Sequence, residues 1–308
     1  MTQALDAQVE IVKLARLLGT DPDELSYLRG AQPDDIGRFR DQVTDVLFDG
    51  DRARLGGFAA GSRVIPAAFA ATVAERALGP VLCARLTALV EPDKAVEIAK
   101  RLPAPFLAEV AVEMDPRRAK DVIAHVPADL IEAVAGELGR RGEAVTMGRF
   151  VGFLKDPAIR AAMRGIDDST LLQTAFVMDR KERLDHIVSL LPSKRLRSIV
   201  VCANQREMWP ETLDLLTSVS AKRRAALVEL ALDEDLEAML PGLFAAVEEA
   251  DGWETGLRLL AELPSELKTQ LAPAAQKLDK PKRKRALEQA RRLGLVAGLG
   301  PVGESLSR

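Results

Sequence analysis

The chain has 308 residues, of which 47% are hydrophobic, 4% are aromatic and 29% are charged, with a formal net charge of −3. This apolar content is enough to bury a core, and the scarcity of aromatic and β-branched runs favours helices over sheets. The balanced charge argues against a molecule-wide basic field for nucleic acid, and two distant cysteines, Cys83 and Cys202, argue against a disulfide framework, a zinc site and a redox pair.

Residues 1–60 are predicted to form a small helical cap. The opening MTQALDAQVEIVKLARLLG lacks the features of a signal peptide and is typical of an amphipathic helix, and two further stretches each pair a capping residue with a helical stripe. A break is predicted where glycines accumulate, at Gly50, Gly56, Gly57 and Gly61. The longest uncharged runs of the chain have eleven residues, so no membrane span is predicted.

A twelve-residue pattern repeats between Glu91 and Ala231, as in DPRRAKDVIAHV followed by PADLIEAVAGEL. Each unit opens with Pro, Asp, Glu or Ser, and its fifth, eighth, ninth and twelfth residues are mostly apolar. This spacing places one stripe on one short helix, and the opening residues favour a helix start. A single long helix is excluded because it would contain several prolines, each costing about 3 kcal/mol or more.

The short helices must support one another. A helix below about 12–15 residues is marginal in water, so each unit has to lay its stripe against its neighbours. We therefore predict an all-α superhelical repeat, an α-solenoid with about 24 residues per helix pair, over residues 61–231. Two Ala-rich helices between Val64 and Val90 are predicted to lead into the first clear unit.

Helices punctuated by Asp-Pro and Leu-Pro pairs, with small residues or Leu in the stripe, resemble a known architecture. The stretch from about Glu91 to Ala231 is similar to the cytosolic N-terminal domain of MgtE magnesium transporters, and more loosely to the armadillo-like parts of the flagellar switch protein FliG. The resemblance implies a superhelix of short helices. The transporters continue into CBS domains and a membrane pore, which this sequence lacks, so the resemblance does not imply magnesium transport.

The C-terminal part divides into two predicted segments. Residues 232–278 are predicted to be a C-terminal helical cap, with eight acidic residues and no basic one between Asp233 and Glu254. Residues 279–308 are predicted to be a basic helix followed by a flexible tail. Seven cations of this helix could contact an acidic surface or the phosphates of nucleic acid, or could form an ordinary solvated face: Lys280, Lys282, Arg283, Lys284, Arg285, Arg291 and Arg292.

Other chemistry-bearing residues have ordinary structural interpretations. His125 and His186 fall at mostly polar places of their units and fit no metal-ligand spacing. Trp209 and Trp253 lie at helix entries, where a large side chain usually packs the turn against the next helix. The alternative for both tryptophans is a role as partner-binding anchors.

We therefore predict a cytoplasmic scaffold or adaptor that is not an enzyme, uses no cofactor or metal and presents a repeat surface to a protein partner. One alternative is a Mg²⁺- or metabolite-responsive regulator related to the MgtE domain. Another is an enzyme, which would require Cys83 or Cys202 beside a histidine in an open pocket.

Overall fold

The computed structural model describes residues 2–61, 64–232 and 252–307, together with Met239, Leu243 and Val247. These residues form helices, turns and connecting segments, and no strand occurs among them. The chain divides into two compact units, which we call the N-terminal unit (Thr2–Asp179) and the C-terminal unit (Arg180–Arg308). The predicted all-α class is confirmed for the described residues.

The N-terminal unit contains eleven described α-helices, a 3₁₀ segment at Pro22–Gly30 and a π segment at Ala74–Leu78. The helices are α1 (Thr2–Leu18), α2 (Pro33–Gly61), α3 (Ala67–Val73), α4 (Gly79–Thr87), α5 (Pro92–Ala99), α6 (Ala104–Glu113), α7 (Lys120–Ile123), α8 (Ala128–Arg140), α9 (Ala144–Val151), α10 (Asp156–Gly165) and α11 (Asp168–Phe176).

The C-terminal unit opens with a 3₁₀ turn at Lys181–Arg183 and continues with further helices. Its described helices are α12 (Leu184–Ser189), α13 (Ser193–Gln205), α14 (Trp209–Thr217), α15 (Ala221–Leu232), α16 (Trp253–Ala261), α17 (Ser265–Gln276), α18 (Lys280–Arg292), α19 (Val296–Leu299) and α20 (Pro301–Ser307).

The twelve-residue units correspond to the helices one for one. Each of the eleven units between Glu91 and Ala231 contains a single α-helix, from α5 to α15. No residue at the fifth, eighth, ninth or twelfth place of these units is exposed. The predicted stripe is therefore at least partly buried in every unit. A continuous rod is excluded because each helix ends within or just after its own unit.

Many helices pack against the second helix along the chain. In the N-terminal unit, α4 contacts α6, α6 contacts α8 and α8 contacts α10, while α3 contacts α5 and α5 contacts α7. In the C-terminal unit, α13 contacts α15, α14 contacts α16 and α16 contacts α18. Contacts of this kind bury the stripe of a helix that is too short to be stable alone.

The predicted glycine break occurs only at the last of its four glycines, Gly61. Helix α2 continues through Gly50, Gly56 and Gly57 and ends at Gly61. A glycine inside a helix costs only about 1 kcal/mol, which tertiary contacts can outweigh. Such contacts hold α2 directly: Arg117 and Arg118 form ion pairs with three of its carboxylates, those of Asp41, Asp45 and Asp49.

The C-terminal segment also differs from the prediction of a flexible tail. Residues 296–307 form α19 and α20, and Leu299, Val302 and Leu306 are buried in a cluster with Trp253 and Leu257. Turns at Gly294 and Gly300, with φ values of 68° and 52°, reverse the chain so that α20 packs on α17 and α18. Most of the acidic run predicted between Asp233 and Glu254 lies outside the described residues.

One helical stretch, Ala67–Thr87, is long and apolar enough to cross a membrane by length and composition. The sequence analysis considered only uncharged runs and predicted no span. This stretch contains Glu75 and Arg76, but the mean hydropathy of its apolar window is high in spite of these two charges. Only 22% of the window is buried within the fold. Core helices of soluble proteins are often equally long and apolar, so this single stretch is weak support for a membrane location. The backbone also changes direction inside it, because Gly79 has a φ of 73°.

Candidate binding surfaces

Both tryptophans are core residues. Trp209 begins α14 and Trp253 begins α16, as expected for residues that pack a helix entry, and their exposed fractions are 9% and 5%. The indole Nε1 of Trp209 donates to Asn204 Oδ1 at 3.1 Å, and its ring packs against Met239. Both rings are covered within the C-terminal unit, and this burial argues against the alternative of partner-binding anchors.

The predicted basic helix exists and is α18. Its first turn is capped by Asp279, whose carboxylate accepts a hydrogen bond from the backbone N–H of Lys282 at 2.9 Å. Ala286 and Ala290, at 1% and 0% exposed, pack this helix into the unit. Lys282 and Arg283 are partly buried, and five cations are exposed, a group that we call the basic face: Lys280, Lys284, Arg285, Arg291 and Arg292.

The cysteines and the histidines differ in how far they are exposed. Cys83 and Cys202 are partly buried and form no disulfide. Burial raises the pKa of the Cys83 thiol to about 11, which keeps it protonated and a weak nucleophile at neutral pH. His125 and His186 are exposed, and His125 Nδ1 lies 2.6 Å from the carbonyl oxygen of Asp121. Among the described residues, no group of three or more His, Cys, Asp or Glu side chains could hold a metal ion.

Exposed apolar side chains are concentrated near the N-terminus, a feature that the sequence analysis missed. Of the ten large hydrophobic side chains exposed in the described part of the chain, nine lie at or before Leu82. Six of them belong to helices α2 to α4, and we call these the exposed apolar set: Phe39, Val46, Leu47, Phe69, Val81 and Leu82. Helices α2 and α4 are in contact.

Helix α2 carries half of this set on one side. Phe39 and Val46 are seven residues apart, about two turns, so their side chains point in nearly the same direction, with Leu47 beside them. Ile36 and Arg40 lie at angles close to that of Leu47 but nearer the start of the helix, and both are largely buried, so exposure increases along α2.

A network of buried charges joins α1 and α2 to the end of the N-terminal unit. Lys13, with 2% of its side chain exposed, donates to Glu10 Oε1 at 2.7 Å and to Asp179 Oδ1 at 2.6 Å. Arg40 donates to Glu10 Oε2 at 2.8 Å and to Asp179 Oδ1 at 3.3 Å. Arg16 adds an ion pair with Glu143. We call Glu10, Lys13, Arg40 and Asp179 the buried charge network.

The pKa values in this region follow from that pairing. Burial raises the pKa of Asp179, but the nearby charges of Lys13 and Arg40 outweigh burial and leave it below its ordinary value. At Arg149 burial has the larger effect: it lowers the pKa of the guanidinium, although the charges of Asp115 and Asp179 act to raise it. A carboxylate with a lowered pKa is a poor general base, so the network is suited to holding helices together.

No known protein family, curated protein or solved structure matches the chain.

Proposed function

We propose that the protein is a non-enzymatic scaffold or adaptor whose exposed apolar set binds a protein partner. Large contiguous apolar patches are uncommon on monomeric soluble proteins and usually mark interaction sites, and the contact between α2 and α4 brings together two of the helices that carry this set. The single observation that carries the proposal is the uneven distribution of these side chains. From residue 83 onward, Val296 is the one large hydrophobic side chain that is exposed in the described part of the chain.

We further propose that the short helices of each unit stack as an α-solenoid. Contacts between each helix and its second neighbour support two parallel rows, with α4, α6, α8 and α10 in one row and α3, α5 and α7 in the other. In such a stack the terminal helices lack a neighbour on one side, and they need a polar outer face or a partner. Helix α3 stands at the start of its row, and its Phe69 is 61% exposed. The cytoplasmic location and the relation to the MgtE domain remain predictions.

The proposal is tested by making one side of α2 polar. The triple variant Phe39→Ser, Val46→Ser and Leu47→Ser removes exposed apolar area, and each substitution is expected to change the free energy of unfolding by less than about 1 kcal/mol. The full chain is immobilised and used to capture proteins from a lysate. We expect the variant to capture at least tenfold less of the partner protein than the wild type does. The thermal midpoint should stay nearly unchanged.

The control is a triple variant at exposed glutamines, Gln42→Ser, Gln173→Ser and Gln205→Ser, which leaves the apolar set intact. It should capture the same proteins as the wild type. Equal capture by the wild type and by the apolar-to-polar variant would rule out this surface as the binding site.

A further inference from the structure

The basic face of α18 has a geometry of its own. With about 100° between successive residues of a helix, Lys280, Lys284 and Arg291 form one row of cations. Arg285 and Arg292 form a second row, about 110° away around the helix axis. Both rows are exposed, and they extend over residues 280–292, about 18 Å along the axis.

A single acidic side chain lies between the two rows. Glu288 is at the centre of the exposed side, with 60% of its side chain exposed, and its Oε1 is 3.9 Å from Lys284 Nζ. Pro281 is the other exposed residue between the rows. The outermost line of the helix is therefore neutral or acidic, and the positive charge lies on its two flanks.

The helix is held rigidly by its opposite side. Ala286 and Ala290 are buried, and α16 and α20 contact α18. The folded segment of residues 296–307 thus fixes the orientation of the basic face. The apolar side of α18 faces the core, so it cannot insert into a lipid bilayer as the apolar side of an amphipathic helix does.

We infer that the basic face binds the phosphate backbone of double-stranded DNA, with α18 lying in the major groove. An α-helix with its side chains is about 10–12 Å across, and the major groove of B-DNA is about 12 Å wide. The two rows of cations then face the phosphates of the two groove walls. Glu288 faces the groove floor, where a carboxylate can accept a hydrogen bond from the N4 amino group of cytosine.

The same arrangement disfavours other polyanions. A flat anionic membrane would approach the outermost line of the helix first, where Glu288 would meet the negative surface. Duplex RNA has a deep and narrow major groove that does not admit a helix. No aromatic residue lies on the basic face, so stacking of single-stranded bases has no support.

The test measures binding of the full chain to a fluorescent 20-base-pair DNA duplex by anisotropy, over a range of salt concentrations. In the main variant, Lys280, Lys284, Arg285, Arg291 and Arg292 are all changed to Gln. We expect its affinity to fall at least tenfold, and the slope of log K against log salt to decrease by roughly 0.9 for each phosphate that the variant no longer neutralises.

Two further variants each remove the cations of one row only. Arg285→Gln with Arg292→Gln removes one row, and Lys280→Gln, Lys284→Gln and Arg291→Gln removes the other. Both should weaken binding, because each row contacts its own groove wall. A control with the same change in net charge replaces five exposed cations elsewhere, Lys120, Lys155, Lys194, Arg206 and Lys222, by Gln, and it should retain most of the affinity and the slope.

Duplex RNA of the same sequence and vesicles containing phosphatidylserine complete the experiment. We expect both to bind more weakly than the DNA duplex at equal ionic strength. The inference is overturned if the wild type does not bind the duplex at 50 mM salt, if the main variant binds as the wild type does, or if RNA or vesicles bind as tightly as DNA. Circular dichroism of each variant verifies that the helices are retained.

Discussion

Gly165 allows close approach of two neighbouring helices, α8 and α10, in the N-terminal unit. A Cβ atom added to Gly165 would lie 2.5 Å from the carbonyl oxygen of Glu132, so α10 would have to move away from α8. Gly50 is the opposite case, because a Cβ atom there would meet nothing within 4 Å. The two glycines look alike in the sequence, and only the packing distinguishes them.

We therefore predict opposite effects of alanine at these two positions. Gly165→Ala should lower the free energy of unfolding by about 1–3 kcal/mol through overpacking against backbone. Gly50→Ala, inside α2, should raise it by about 0.5–1 kcal/mol because alanine loses less backbone entropy in a helix. Urea unfolding followed by circular dichroism measures both. A stabilising Gly165→Ala would show that α8 and α10 are not in close contact.

Asp179 is predicted to make stability dependent on pH. Its folded pKa lies below the ordinary value, since Lys13 and Arg40 outweigh burial, so its contribution is present above the unfolded pKa of about 3.9. That contribution is lost as the pH falls from the unfolded pKa through the folded one. Asp179→Asn should cost on the order of 2 kcal/mol at pH 7, less than for a fully buried pair because 23% of the side chain is exposed.

Unfolding curves at pH 7 and near pH 3 test this prediction. The difference in stability between Asp179→Asn and the wild type should shrink at the lower pH. Glu182→Gln, at a carboxylate whose side chain is 72% exposed, serves as the control and should have little effect at either pH. A constant difference across this range would contradict the pairing of Asp179 with Lys13 and Arg40.

At the scale of elements, each repeated unit forms one helix, but the length of that helix depends on contacts with other helices. Helix α7 has four residues and α8 has thirteen, although their units have the same length. The first residues of the unit that contains α7 form other contacts. The Asp115 carboxylate accepts a hydrogen bond from the backbone N–H of Arg117 at 3.0 Å, and the side chains of Arg117 and Arg118 form ion pairs with α2. The sequence pattern could not predict this shortening, because Asp41 and Asp45 are distant in the chain.

An isolated unit should be mostly unfolded. A peptide of residues 127–142, which includes all of α8, is near the length at which helices are marginal in water, and it lacks the α6 and α10 surfaces that α8 contacts. We predict low helicity of the peptide by circular dichroism at 25 °C, with a large increase in trifluoroethanol. High helicity in water would show that local propensity, without stacking, forms the helix.

At the scale of the whole molecule, the two units carry different spectroscopic reporters. Both tryptophans of the chain lie in the C-terminal unit, and the buried charge network lies in the N-terminal unit. Tryptophan fluorescence therefore reports on the C-terminal unit alone, while circular dichroism reports on all the helices. The twelve-residue register skips Asp179 at this boundary, but it also skips residues 139–142 and 204–207, so a skip in the repeat does not by itself mark the division.

We predict that the two signals respond differently to matched substitutions. Lys13→Met breaks the pairing in the N-terminal unit, so it should shift the circular dichroism transition and leave the fluorescence midpoint unchanged. Lys181→Met removes a cationic partner of Asp214, which is 1% exposed and 2.8 Å from Lys181 Nζ, so it should shift the fluorescence midpoint. Equal shifts of both signals in both variants would indicate that the units unfold together.

The sequence by itself determined the class of structure, the position of each short helix from α5 to α15 and a stripe of residues that no unit leaves exposed. These features follow from local spacing, since an apolar stripe and a helix-starting residue act within one turn or two. The tertiary structure alone decided that α2 continues past Gly50, Gly56 and Gly57, that residues 296–307 fold back and that the apolar set stays exposed. Each of these depends on contacts between residues far apart in the chain, whose free energies outweigh the local preferences.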